Sequence, residues 1–256
     1  MTKLKAVILA AGKGTRLRSE GSDLPKVMRN ALGKPLLYYV LKAVDFIEPE
    51  DITIVVGYKK EKITECFGGY NYVVQEEQRG TGHAVMAARS VMEGEFPVLI
   101  CYGDMPLISR DTYNSLINTH IEQENACTIL TGTSELDLPY GRIIRDVDGG
   151  FLEVVEERDC TESQRRIREL NIGVYVFDST ALLGALNELR CDNAQGEYYL
   201  TDVPAILRGK NAKIGICKRD MGPEIIGVNT VEQLQQVEKV LKQQGGGGGD
   251  SSVAPR

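Results

Sequence analysis

No apolar run in this 256-residue chain approaches the roughly 20 residues that a bilayer-crossing helix requires, so no membrane partner is expected. Met1 to Lys5 carries charge and passes at once into a short apolar stretch. It has neither the length nor the cleavage site of a secretory signal, and a cytoplasmic location is the expectation. Cys66, Cys101, Cys127, Cys160, Cys191 and Cys217 include no CxxC pair and have no histidine at ligand spacing, which speaks against a zinc cluster or a disulfide framework and for reduced thiols. A basic stripe interleaved with aromatics is also missing. The net charge of −6 repels a nucleic-acid backbone, so no nucleic-acid partner is expected. Self-similarity at a fixed period is absent, which excludes repeat architectures.

What is present is an alternation. From Lys5 to about Leu130, short apolar runs at Ala6 to Leu9, Ile52 to Val56, Tyr72 to Val74 and Val98 to Cys101 read as strands. Amphipathic spacing at Leu36 to Phe46, Lys59 to Cys66, Gly82 to Ser90 and Asp111 to Ile121 reads as helices between them. This predicts an α/β fold with a doubly wound, mainly parallel, Rossmann-like sheet. After Leu130 the pattern shifts to half-exposed strands at Arg142 to Arg145, Phe151 to Val155 and Val174 to Phe177, with turn signals such as Asp148-Gly149-Gly150. These predict a smaller mixed β region covering one side of the cleft. A last helix, Val231 to Lys242, sets Val231, Leu234, Val237 and Leu241 on one face. The expected division is one domain over residues 1–242 and a flexible Gly-rich tail over 243–256.

In a doubly wound sheet ligands bind beyond the carboxyl ends of the strands, which directs attention to the residues after Leu9 and Cys101. The run Leu9-Ala10-Ala11-Gly12-Lys13-Gly14-Thr15-Arg16-Leu17 follows the first strand directly. Its glycines let backbone N–H groups approach phosphate oxygens, and its basic residues, with Arg18, Lys26 and Arg29 nearby, supply countercharge on an acidic chain. The spacing is not that of a P-loop, and Leu17 stands where a dinucleotide fingerprint needs its third glycine. A bare GxG serves an ordinary tight connection equally well. In Asp23-Leu24-Pro25-Lys26 the proline limits the loop and could aim the ammonium group, although a lone Pro-Lys is commonly a surface turn. Asp104, in Tyr102-Gly103-Asp104-Met105-Pro106, sits at a strand's carboxyl end, where one carboxylate suffices to hold Mg²⁺ alongside phosphates and water; turn aspartates occupy such positions too.

Taken together and in order, Leu9 to Leu17 with Lys26, Gln75 to Ala84, Tyr102 to Leu107, Tyr140 to Ile143, Asn193 to Tyr199 and Gly227 to Asn229 resemble the bacterial N-acetylglucosamine-1-phosphate uridylyltransferases over nearly the whole chain up to about Lys242. The resemblance implies a fold and an activity: transfer of a uridylyl group from UTP to N-acetylglucosamine 1-phosphate with release of pyrophosphate. It implies a triphosphate site at the loop Leu9, Ala10, Ala11, Gly12, Lys13, Gly14 and Thr15, with Arg16 and Lys26 as catalytic cations. Gln75, Gln78, Gly80 and Thr81 match the uracil-recognising positions. Tyr102, Gly103, Gly141, Glu156, Asn171 and Tyr199 match the sugar side, and Asp104 and Asn229 match the Mg²⁺ ligands. His83 is read as orienting the nucleotide loop at most, and His120 as a surface helix residue.

The chain departs from the family pattern in three places. Extra residues around Glu20 to Ser22 lengthen the loop before Lys26, Ile172 stands where threonine is common, and no hexapeptide repeats follow, so acetyl transfer is not expected of it. Rival readings are a sister enzyme for another sugar 1-phosphate or nucleoside triphosphate, a sugar-nucleotide-binding regulatory protein without turnover, and, more remotely, a dehydrogenase, against which Leu17 argues. The sequence carries no sign of the oligomeric state.

Overall fold

A computed structural model describes residues 3–14, 17, 24–135 and 138–245. Its strands are β1 (Lys5–Leu9), β2 (Asn30–Ala31), β3 (Lys34–Pro35), β4 (Ile52–Val56), β5 (Asn71–Val74), β6 (Pro97–Tyr102), β7 (Cys127–Thr133), β8 (Arg142–Arg145), β9 (Phe151–Val155), β10 (Glu169–Asp178) and β11 (Ile214–Arg219). Its helices are α1 (Leu36–Ala43), α2 (Lys60–Cys66), α3 (Thr81–Ala87), α4 (Arg110–Glu122), α5 (Glu162–Arg165), α6 (Ser179–Leu186), α7 (Val203–Gly209) and α8 (Val231–Gly245).

The main sheet runs β11-β7-β10-β6-β1-β4-β5. Pairing is parallel between β1 and β4, β1 and β6, β4 and β5, and β7 and β11, while β10 runs antiparallel to both β6 and β7. Both faces are covered, which explains the continuous apolar strands. Ala6 and Ile8 of β1 join one core with Leu37 and Val40 of α1, Ile63 of α2 and Leu116 of α4. Val7 and Leu9 point to the other, with Val85 of α3, Leu182 of α6 and Leu207 of α7. A third cluster seats α8: Val237 is fully buried and packs with Leu36, Leu107 and Val228.

The mainly parallel α/β sheet is as expected, but β10 corrects its layout. Val174 to Phe177, read as half-exposed, are all fully buried. They form a central strand wedged between β6 and β7, because a strand covered on both faces loses its alternation. The mixed region is the β8–β9 hairpin, joined to β10 through the pair Leu170 and Arg142. Of the residues grouped on one face of α8, Val231 is 39% exposed at its start, while Val237 is buried. α8 extends to Gly245, three residues past Lys242, and the expected tail from 246 onwards lies outside the described residues.

His120 is likewise corrected. Tyr113, Leu116, Ile117 and His120 share the face of α4 turned to the sheet, so His120 is buried, with Nδ1 3.1 Å from Thr128 Oγ1, and burial lowers its pKa. No described helix is long and apolar enough to cross a membrane.

Candidate functional site

The winding reverses between β1 and β6, the place where an α/β sheet opens a crevice at its carboxyl edge. The register pairs Leu9 with Tyr102, so the loops leaving these strands lie side by side, tied by Gly103 N–H donating to the Leu9 carbonyl at 3.0 Å. Ala10 N–H donates to Val55 at 2.8 Å, and Gln75 N–H to Val56 at 2.8 Å, which sets the glycine loop and the residues after β5 on the same rim. Because β10 runs against its neighbours, its beginning rather than its end reaches this rim. Asn171 and Gly173 arrive there, Gly173 (φ +82°) so near Tyr102 that an added Cβ would lie 2.6 Å from its ring.

Two cavities open along the edge. The larger, about 380 Å³, is lined by Leu9, Ala10, Ala11, Gly12, Lys26, Gln75, Gln78, Gly80 and Thr81. The smaller, about 150 Å³, is lined by Gly141, Glu156, Asn171, Ile172 and Gly173. Tyr102, Asp104 and Asn229 belong to both walls. These residues, from eight separate stretches of sequence, therefore line two cavities that meet at one junction.

At that junction Lys26 Nζ forms an ion pair with Asp104 and donates to Asn229 Oδ1 at 2.7 Å. Each partner is held by backbone. Lys26 opens a 3₁₀ turn after Pro25, whose fixed φ sets the approach. Gly14 (φ +65°) lies against its stem, and a Cβ there would stand 2.7 Å from Lys26 Cβ. Asn229 precedes α8, where Gln233 Oε1 accepts from Asn229 N–H at 2.7 Å and Thr230 Oγ1 accepts from Gln233 N–H at 3.3 Å, an interlocked cap. Val228 N–H donates to the Asp104 carbonyl at 3.0 Å, joining the two segments.

The donor set suits Mg²⁺. One carboxylate and one amide oxygen already converge on a single cationic point, hard oxygen donors of the kind and number this ion takes from protein when phosphates and water complete its shell. Among the described residues no group of three or more His, Cys, Asp or Glu offers a protein-only cage.

The smaller cavity is braced from beneath. Arg142, 2% exposed, pairs with Glu157 at 2.8 Å and donates to the carbonyl oxygens of Leu138 and Tyr140, which fixes the stretch that leads into Gly141. Tyr140 Oη donates to Ile225 at 2.7 Å and accepts from Gly227 N–H at 2.9 Å; burial pushes its pKa up to about 12, so it remains a donor. Asn171 donates to Tyr175 Oη at 2.7 Å and accepts from Gly173 N–H at 3.2 Å. Glu156 accepts from Thr201 Oγ1 at 2.9 Å; its pKa is raised, chiefly by burial, against that bond.

Some expected residues stand elsewhere. Tyr199 lines an adjoining hollow of about 300 Å³ with Glu153, Asp159 and Asp202, and Glu156 is the wall between. Its hydroxyl donates to Asp159 at 3.2 Å and accepts from Gln195 at 2.8 Å. Lys13 is 5.9 Å above the Tyr58 ring, outside the cavity wall. Gly103 lies beneath the junction, an added Cβ falling 2.9 Å from Val27. Thr15 and Arg16 lie outside the described residues. Sequence reasoning did not single out Glu197, which lines the larger cavity, although it falls within the run Asn193 to Tyr199.

The acidic hollow has a measurable signature. Asp202 is pushed up to about 6, first by burial and then by Asp159 and Glu153. In the unfolded chain it titrates near 4, so between about pH 4 and 6 the folded form holds the extra proton, and stability contributed by that proton is lost as pH rises. Asp202 makes no side-chain cap bond to α7. Asp202→Asn should therefore melt above the parent at neutral pH, with the gain vanishing near pH 4. A difference independent of pH would refute the assignment.

A strand-edge cleft with paired cavities and a lysine–carboxylate–amide junction defines a nucleotidyltransferase of the α/β class, and the chain belongs to the MobA-like NTP transferase domain family, whose model matches residues 6–202. More particularly, it is 41% identical over 243 residues to the bifunctional protein GlmU of Syntrophomonas wolfei, covering 94% of this chain and 54% of that protein. It is 44% identical over 241 residues to GlmU of Streptococcus pyogenes, covering 93% and 57%. The chain thus spans about half the length of the curated relatives it matches. In fold it is similar to a UDP-glucose pyrophosphorylase solved with UDP-glucose, at a TM-score of 0.75 and 18% identity, over 95% of this chain and 100% of that one.

Proposed function

We propose that this chain forms UDP-N-acetylglucosamine and pyrophosphate from UTP and N-acetylglucosamine 1-phosphate. The observation that carries the proposal is the shared wall of Tyr102, Asp104 and Asn229 between the two cavities, with Lys26 at their meeting point. UTP would occupy the larger cavity, its base near Gln75, Gln78, Gly80 and Thr81 and its phosphates along Leu9 to Thr15, with Arg16 and Lys26 as countercharge. The sugar phosphate would occupy the smaller, against Gly141, Glu156 and Asn171, with Tyr199 acting through the neighbouring hollow.

The attacking group is a phosphate oxygen, largely ionised near neutrality because its second pKa is about 6. No general base is then needed, and positioning and charge neutralisation carry the reaction. Mg²⁺, held by Asp104 and Asn229, would supply further neutralisation of phosphate charge when bound. Lys26 brings its ammonium to the boundary where two anions must meet, and Asp104 holds it there until phosphate competes for it. Glu156, with its raised pKa, presents a half-buried carboxyl at the wall assigned to the sugar, braced by Thr201. A cytoplasmic setting accords with six unpaired cysteines.

The test is pyrophosphate release with Mg²⁺, pairing UTP, dTTP, CTP and GTP each with N-acetylglucosamine 1-phosphate and glucose 1-phosphate. Preference for UTP with the acetamido sugar is expected. Preference for another pair would reassign the substrate, and silence across all pairs would leave a binding protein.

A further inference from the structure

We propose that His83 is a specificity-determining positioning residue: its Nδ1 helps lock the Gln75 amide so that only the carbonyl oxygen faces the nucleotide cavity. That arrangement selects a base carrying an N–H at its pairing edge, uracil or thymine, and rejects cytosine, whose N3 is itself an acceptor. The inference rests on the uridine-nucleotide reading and deepens it.

Gln75 is 4% exposed, and its backbone is pinned by the bond from its N–H to Val56. Its Nε2 donates to the Gly80 carbonyl at 3.1 Å and contacts His83 Nδ1 at 3.2 Å. A carbonyl oxygen can only accept, so the Gly80 contact decides which way the amide is turned; reversed, two oxygens would face one another. An amide nitrogen can only donate, so His83 Nδ1 must be the acceptor and the ring proton must sit on Nε2. Both amide hydrogens are thereby consumed. Among the described residues Oε1 makes no hydrogen bond, and Gln75 lines the larger cavity. All that the amide offers a ligand is an acceptor.

The two receivers are themselves fixed. Gly80 has φ +107°, and a Cβ there would stand 2.5 Å from the Tyr198 carbonyl oxygen, so the turn that aims its own carbonyl at Gln75 tolerates no side chain without strain. The His83 ring stacks on Tyr198 at 6.3 Å, and Tyr198 carries the Arg79 guanidinium 5.1 Å above it. Gly82 N–H donates to Tyr198 at 2.7 Å and Tyr198 N–H to Arg79 at 2.9 Å, which ties the start of α3 to the same tyrosine. His83 therefore acts through Gln75 and need not touch the base.

Two measurements test this. The chain has 2 histidines, so ¹⁵N spectra of the parent protein resolve the His83 tautomer; an unprotonated Nδ1 with the proton on Nε2 is expected, and a protonated Nδ1 overturns the proposal. Then kcat/KM for UTP and CTP is measured with N-acetylglucosamine 1-phosphate and Mg²⁺ in the parent, His83→Ala and His83→Asn. Losing one of the two receivers should lower the UTP-over-CTP ratio by about tenfold in His83→Ala. His83→Asn, whose side-chain oxygen can replace Nδ1, should keep the ratio. Equal losses for both nucleotides in His83→Ala, or an unchanged ratio, would make His83 a structural residue only. If His83→Ala does not fold, the tautomer and the His83→Asn ratio decide. A parent that turns over neither nucleotide sinks the uridylyltransferase reading instead, and equilibrium binding of UTP and CTP to the same variants then reads the amide lock.

Discussion

Asp104→Ala is expected to lower kcat by at least about a hundredfold, the scale of losing a preorganised electrostatic group. The side chain lies in both cavity walls, holds Lys26 and supplies the one carboxylate of the candidate Mg²⁺ site. Its removal takes away an oxygen of the candidate metal site and releases the ammonium together, and no other described carboxylate lines both cavities. The fold should survive, because Val228 reaches the Asp104 backbone carbonyl rather than its carboxylate. Thermal melting near the parent's alongside the kinetic loss would separate chemistry from stability. Asp104→Asn, retaining an oxygen but no charge, should fall between; activity near the parent's in either variant would remove Asp104 from the mechanism.

Much of this was legible in the sequence, for a physical reason. Ile52 to Val56 and Arg142 to Arg145 were placed to the residue because apolar runs bounded by turn residues leave little choice of boundary. The glycine loop and Asp104 were found because chemistry at a sheet edge follows its strands directly. Long-range placement was less accessible. Nothing local in Val174 to Phe177 says that it runs antiparallel in the middle of the sheet, yet that direction is what brings Asn171 to the cleft. β7 and β11, the strands flanking that side, were not singled out, since Thr128, Thr131 and Lys218 break up their apolar signal. His120 misled because a polar residue on a helix reads as exposed until its hydroxyl partner, Thr128, arrives from a different strand. Asn229 was assigned through family resemblance alone; the Thr230 and Gln233 cap that positions it was present in the sequence as a Thr-x-x-Gln pattern.

Lys26→Ala should lower kcat by about a hundredfold or more while leaving KM for the sugar phosphate within about threefold, the pattern of an interaction strengthened in the transition state. The ammonium is engaged by Asp104 and Asn229, so in this arrangement it neutralises the protein's own oxygens rather than a ligand. A divalent ion taking those oxygens would displace it toward phosphate, where charge develops as pyrophosphate leaves. Ground-state sugar binding, which the proposed function assigns to the cavity of Gly141, Glu156 and Asn171, would not draw on it. Since ammonium and metal share ligands, the variant should also saturate at no higher Mg²⁺ than the parent, whereas Asp104→Ala should require more. Lys26→Arg should not rescue turnover, because the stem is packed against Gly14 and a planar fork cannot replace a compact ammonium there. A rise in KM with kcat preserved would make Lys26 a binding residue and move the catalytic burden to Arg16.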